Sequence, residues 1–112
     1  MDDIKIAQRY VSKAQRAKAK GIPFELSFTA FKNMMRAKYC FYSGVELTEP
    51  DSSILSATAR TIDRIDNSKG YVSGNVCACS NAANNFKSLL EGPDFALDKK
   101  TIVKLINASG LK

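Results

Sequence analysis

Residues 61–75 read TIDRIDNSKGYVSGN, and the fold turns on how this stretch meets the residues around it. From Arg60 to Ile65 the pattern is extended, Asn67 to Gly74 is rich in turn formers, and Asn75 to Cys79 is extended again. This predicts a hairpin with a long loop. Asn81 to Leu90 has helical composition, and Gly92-Pro93 supplies its stop. In the order strand, loop, strand, helix, Asp63 ends one strand, Asn75 starts the next, and Asn84 and Lys87 lie on the helix. A strand end and the first turns of a packed helix bring a carboxylate and a side-chain carbonyl to one hard cation, a donor set that suits Mg²⁺. Taken singly, such an Asp and Asn more often cap backbone groups. Their joint spacing with Asn75 and Lys87 favours a real or vestigial metal site.

The same stretch, with Asn84 nine residues and Lys87 twelve residues beyond Asn75, resembles phage-type HNH (His-Me finger) endonucleases. Residues 40–44, CFYSG, look like the tract that opens that module, so the resemblance covers about 48 residues. It implies an α+β fold: a small ββα-metal hairpin-plus-helix core over 40–90, flanked by N- and C-terminal helices. It also implies a metal-dependent DNA endonuclease using Mg²⁺ or Mn²⁺, with Asp63 and Asn84 as metal ligands. Asn75 would fix the shape of the hairpin loop, and Lys87 would meet a phosphate.

The sequence departs from that family at Arg64, where the residue after the metal-binding Asp is usually a histidine that deprotonates the attacking water. The chain contains no histidine at all. Arginine stays protonated, so it is no ordinary base; its planar fork of donors suits a phosphate clamp instead. General base catalysis supplies about 10²- to 10⁴-fold, while a metal lowers the pKa of its own bound water independently, so the loss does not silence the site. Asp66 and Tyr71 lie in the same loop as possible substitutes, Asp66 equally as a turn cap and Tyr71 as a packed aromatic.

Many HNH modules carry a Cys-x-x-Cys pair on each side of the hairpin for structural zinc. Here the corresponding positions read Cys40-Phe-Tyr-Ser43 and Ser80-Asn-Ala-Ala83, so three of the four ligands are missing and no zinc is expected. Cys77 and Cys79 are alternate strand residues on one face, where a core thiol is the commoner role. Three cysteines, an odd number, argue against a disulfide framework.

Upstream, Ile4 to Lys20 spaces Ala7, Tyr10, Val11, Ala14 and Ala17 as one face of a basic amphipathic helix, stopped by Gly21 and Pro23. A second helix is expected from Ser27 to Lys38, with Phe28, Phe31, Met34 and Met35 in the core. Tyr39 to Leu47 reads as a short extended pair turning at Ser43-Gly44, and Glu49 to Ala59 as a loop. A last helix from about Leu97 to Ala108 offers Leu97, Ile102, Leu105 and Ile106 as anchors before Gly110. At 112 residues the chain is expected to be one domain, with a basic helical region at 1–38 and a C-terminal helix at 97–110.

The net charge of +6 is local: up to Tyr39 nine basic residues face three acidic ones, and the remainder balances eight against eight. Lys5, Arg9, Lys13, Arg16, Lys18 and Lys20, with Lys69 in the hairpin loop, are therefore the candidate nucleic-acid contacts. No apolar run is long enough to cross a bilayer and no secretory signal is visible, so the expected place is the cytoplasm, the host's if phage-encoded. Two readings follow. One is an endonuclease that nicks or breaks DNA without a small-molecule cofactor. The other is a degenerate HNH-fold protein that binds nucleic acid, or a partner processing it, without cleaving. A purely structural virion role gains nothing from Asp63 and Asn84. Target specificity and oligomeric state leave no mark in the sequence.

Overall fold

The computed structural model describes residues 1–50, 56–92 and 96–111. Asp2 opens the first helix by accepting the Lys5 N–H at 2.9 Å, and α1 runs Asp3–Ala19. Gly21, at φ 70°, turns the chain out of it. Ser27 caps α2, Phe28–Met35, by accepting the Ala30 N–H at 3.1 Å. This helix ends before the expected Lys38, because Arg36 already bonds back to Asn33 O at 3.2 Å in a tight last turn.

The two strands, β1 Arg60–Arg64 and β2 Val76–Ser80, pair antiparallel with Arg60 opposite Ser80 and Arg64 opposite Val76. Ser80 then caps α3, Asn81–Glu91, by accepting the Ala83 N–H at 3.2 Å. Helix α4, Lys99–Ala108, is capped by Asp98. The expected α+β core of hairpin plus helix is therefore present. Residues 51–55 of the expected loop, and Pro93 of the expected stop, lie outside the described residues.

The tract Tyr39 to Leu47 forms a turn with a single bridge, Tyr39 to Glu46, rather than the expected extended pair. Its backbone is used elsewhere: the Phe41 N–H donates to Ala78 O at 2.9 Å, tying the tract to β2. Buried residues form two groups, Ile6 with Phe31 and Met35, and Cys40 with Leu47, Cys77, Ala78 and Cys79. Ile62 of β1 packs against both and joins them into one apolar interior. Phe28 stays at the rim, its ring 5.4 Å from that of Tyr10.

The inward stripe of α1 is Ile6, Ala7, Tyr10, Lys13, Ala14 and Ala17, while Val11, expected to be inward, is 51% exposed. The stripe is rotated because Ile6 is drawn under Phe31, and the rotation carries Lys13 inward with it. Between α1 and α2 the chain docks on the hairpin loop. The Tyr71 N–H donates to Pro23 O at 2.8 Å and the Glu25 N–H to Tyr71 O at 2.9 Å. Among the described residues α4 packs against no other element, so Leu97, Leu105 and Ile106 are exposed instead of serving as anchors. No helix of the described residues is long and apolar enough to cross a membrane.

Candidate active site

The hairpin places alternate side chains on opposite faces, so Thr61 and Asp63 share a face with Cys79 and Cys77, their cross-strand partners. Helix α3 leaves β2 at Ser80 and packs back on both strands with Ala83, Asn84 and Lys87 turned inward. Asp63 at the end of β1 and Asn84 on the second turn of α3 consequently line one open cleft of about 480 Å³. Ser88 and Glu91 extend the α3 wall, Arg64, Asn67 and Tyr71 form a second, and Lys13 of α1 with Lys20 at its C-terminal cap a third. Glu91 was not singled out from sequence; its spacing of seven from Asn84 on a helix is the signal that puts both on one face.

The Asp63 carboxylate is held firmly. Its Oδ2 accepts the Tyr42 hydroxyl at 2.8 Å and lies 3.4 Å from Lys87 Nζ. Burial first, then the hydrogen bond to Asp63, pushes the Tyr42 phenol well up, so it acts as a permanent donor. Lys87 donates to Arg64 O at 2.8 Å and to both Glu91 oxygens at 3.0 and 2.9 Å. Burial alone would depress this lysine, but Glu91 and Asp63 outweigh it and raise its pKa. The lysine expected to meet a phosphate is thus engaged by three groups of its own chain.

Arg64 is similarly occupied. Its Nη1 donates to Asn67 O and Lys69 O, both at 3.0 Å, and its guanidinium lies 5.3 Å from the centre of the Tyr71 ring. Asp66 faces away from such chemistry, capping its own turn by accepting the Ser68 N–H at 3.0 Å and hydroxyl at 2.7 Å. Those bonds hold its carboxyl below the usual range. Tyr71 packs against Phe24 at 5.6 Å. Asn75 is buried and closes the loop, donating to Asp66 O and Gly70 O at 3.0 and 2.9 Å and accepting the Asp66 N–H at 2.9 Å.

The donor set fits a hard divalent cation. One carboxylate and one amide oxygen converge on a polar, open cleft, with room for water and phosphate oxygens, as Mg²⁺ requires. Among the described residues a second group, Asp63 with Cys77 and Cys79, has its ligand atoms within 4.8 Å of one another. Burial pushes the Cys77 thiol up and the Cys79 thiol up to about 11, so both are protonated core thiols at neutral pH. The two tracts that would carry zinc are joined through Cys40, whose Sγ accepts the Ser43 N–H at 3.4 Å and the Ser80 N–H at 3.3 Å. Sequence reasoning missed this bridge, since nothing in the spacing shows that a lone thiol spans 40 residues to meet Ser80.

The basic residues of α1 divide. Lys13 and Lys20 reach the cleft, and with Arg16 they line a smaller hollow of about 200 Å³ beside Tyr71. Lys5 and Arg9 instead border a hollow of about 880 Å³ with Glu49, away from Asp63 and Asn84. Lys18 lies about 140° around the helix from Lys13, and Lys69 gives its carbonyl to Arg64.

No family model matches the chain. It is 34% identical over 84 residues, 75% of its length, to an uncharacterized 29.0 kDa protein from the dda-modA intergenic region of Enterobacteria phage T4. The chain spans about a third, 32%, of that protein's length. Its structure is similar to that of the rare-cutting HNH restriction endonuclease PacI, with a TM-score of 0.57 and 15% identity, over 96% of this chain and 83% of that one. The hairpin followed by a helix that frames Asp63 and Asn84 is therefore an HNH-endonuclease fold.

Proposed function

We propose that this protein is a divalent-metal-dependent phosphodiesterase that cuts DNA. The observation that carries the reading is the convergence of Asp63, from β1, and Asn84, from α3, on one cleft whose third wall is basic. Asp63 and Asn84 would hold Mg²⁺ or Mn²⁺, which when bound stabilises charge on the scissile phosphate and lowers the pKa of bound water. Tyr42 and Lys87 fix the Asp63 carboxylate so that no reorganisation is needed as charge develops. Arg64 and Asn75 hold the hairpin loop in the shape that sets the second wall. Lys20 supplies positive charge across from Asp63 and Asn84, where a phosphodiester backbone would lie.

Supercoiled plasmid incubated at low salt with Mg²⁺, Mn²⁺ or EDTA tests the reading. Metal-dependent nicking is expected. Loss of an outer-shell partner of a metal site costs about 10- to 100-fold, so Asp63→Ala and Asn84→Ala, which remove ligands, should cost at least about 100-fold. Equal inertness of wild type and both variants would sink it. That outcome would favour the second reading, a DNA-binding protein that has kept the scaffold, for which the occupied guanidinium of Arg64 in the base position is the supporting observation.

A further inference from the structure

An HNH-type site without histidine needs another proton acceptor, and the cleft contains few. Arg64 is permanently protonated. Glu91 is held on both oxygens by Lys87, and Asp66 is spent on Ser68. Asp63 is the carboxylate that would face the metal. Lys13 differs from every other basic residue of α1: it lies on the inward stripe between Tyr10 and Ala17 and is half-buried, whereas Lys5, Arg9, Arg16 and Lys18 are exposed. Its Nζ stands 5.1 Å from the centre of the Tyr71 ring, and among the described residues it makes no ion pair.

Resting on the phosphodiesterase reading above, we propose that Lys13 is the general base of the reaction, taking the proton from the water that attacks phosphorus. The groups that face it are Arg16 of α1 and Lys20 at its cap, Asp63 and Arg64 of β1, and Tyr71 of the hairpin loop. Burial chiefly, then Arg16, Arg64 and Lys20, depress its amine below the ordinary lysine range, outweighing Asp63 and the face of the Tyr71 ring, which favour the ammonium. A compact amine shifted in this way serves as a base where a guanidinium does not. In the step, the water oxygen bonds to phosphorus as the bond to the leaving deoxyribose oxygen breaks. The water's proton passes to Lys13 Nζ, and the leaving oxygen takes a proton from solvent. Lys13 returns its proton to solvent, and one water is consumed.

Single-turnover cleavage of plasmid by the full chain, from pH 6 to 10, separates this role from a phosphate clamp. For wild type the rate should rise about tenfold per pH unit and level off below the ordinary lysine value. Lys13→Arg, which keeps the charge and the reach, should lose about 10²- to 10⁴-fold and the pH-dependent limb, while DNA affinity measured in Ca²⁺ stays within a few-fold. Lys13→Ala should regain activity with added methylamine. Circular dichroism and melting confirm that each variant is folded.

Retained cleavage and an unchanged limb in Lys13→Arg would overturn the assignment, as would loss of the limb in Tyr71→Phe alone. NMR titration of the lysine ammonium groups gives a readout independent of turnover: Lys13 titrating with the other lysines would also overturn it. A wild type inert with both metals defeats the phosphodiesterase reading itself. Cleavage that Asp63→Ala removes and Lys13→Arg keeps defeats only the base.

Discussion

The side chain of Asn75 makes three hydrogen bonds to the backbone of the loop it closes, and it does so from a buried position. Asn75→Ala leaves the Asp66 N–H without a partner and takes one of two donors from each of the Asp66 and Gly70 carbonyls, which keep the Lys69 and Val72 N–H groups, so a loss of about 1–3 kcal/mol is expected in urea unfolding. Asp would keep the acceptor but lose both donations, and it should not rescue. Cys40 makes a different kind of link. Burial pushes its thiol up, but the Ser43 hydroxyl, followed by the N–H groups around Sγ, outweighs this and holds it down to about 6. A group with a depressed folded pKa stabilises fully above its unfolded value and loses that contribution as pH falls through the folded one. Stability should therefore rise from about pH 6 toward the ordinary thiol value, and thermal melts of Cys40→Ala across that window should show the rise abolished.

At the level of elements, the join between the helical N-terminal region and the hairpin rests on a close approach at Gly70. A Cβ there would lie 2.6 Å from Pro23 O and 2.7 Å from Pro23 Cβ, so the segment must shift to admit any side chain. Gly70→Ala is expected to cost about 1–3 kcal/mol, as overpacking does, and to weaken the Pro23–Tyr71 pairing seen by hydrogen exchange. Helix α3 packs with its more polar side: Asn84 and Lys87 turn inward while Phe86, 56% exposed, and Leu89, 59% exposed, face outward. This inversion of the usual pattern is what delivers Asn84 to the cleft. Helix α4 has no such duty among the described residues. Ending the chain after residue 96 should shift the melting temperature by no more than about 2 °C, in line with surface changes that remove no packing.

For the whole molecule, the excess positive charge becomes a direction. Lys5, Arg9, Lys13, Arg16 and Lys20 fall within about 80° of arc along α1, and the stripe runs into the cleft that holds Asp63 and Asn84. DNA binding should weaken steeply with salt, and each stripe residue that meets a phosphate should contribute about 0.9 to the slope of log affinity against log salt. Replacing Lys5 and Arg9 together should flatten the slope by up to about 1.8, whereas Lys18→Ala, on the other side of the helix, should leave it unchanged. Fluorescence anisotropy over a salt series checks both.

Much of this was legible in the residues themselves, because it depends on local chemistry. Turn formers between Asn67 and Gly74 demand a loop, Ser27 caps the helix that follows it, and the spacing of Asp63, Asn75 and Asn84 follows the order strand, strand, helix. A helical period, however, leaves the phase of a mostly small, basic helix undecided by one position, since Val11 and Ile6 are equally apolar markers. Packing of Ile6 against Phe31 chose the phase and turned Lys13 from a surface charge into a cleft residue. The partners of Arg64, Lys87 and Cys40 were also hidden, because a long or polarizable side chain finds acceptors or donors that only a closed chain brings near. Local residue chemistry determined that there would be a hairpin, a helix and a pair of side-chain oxygen donors on them; contacts between distant segments decided which charges surround them and which are already engaged.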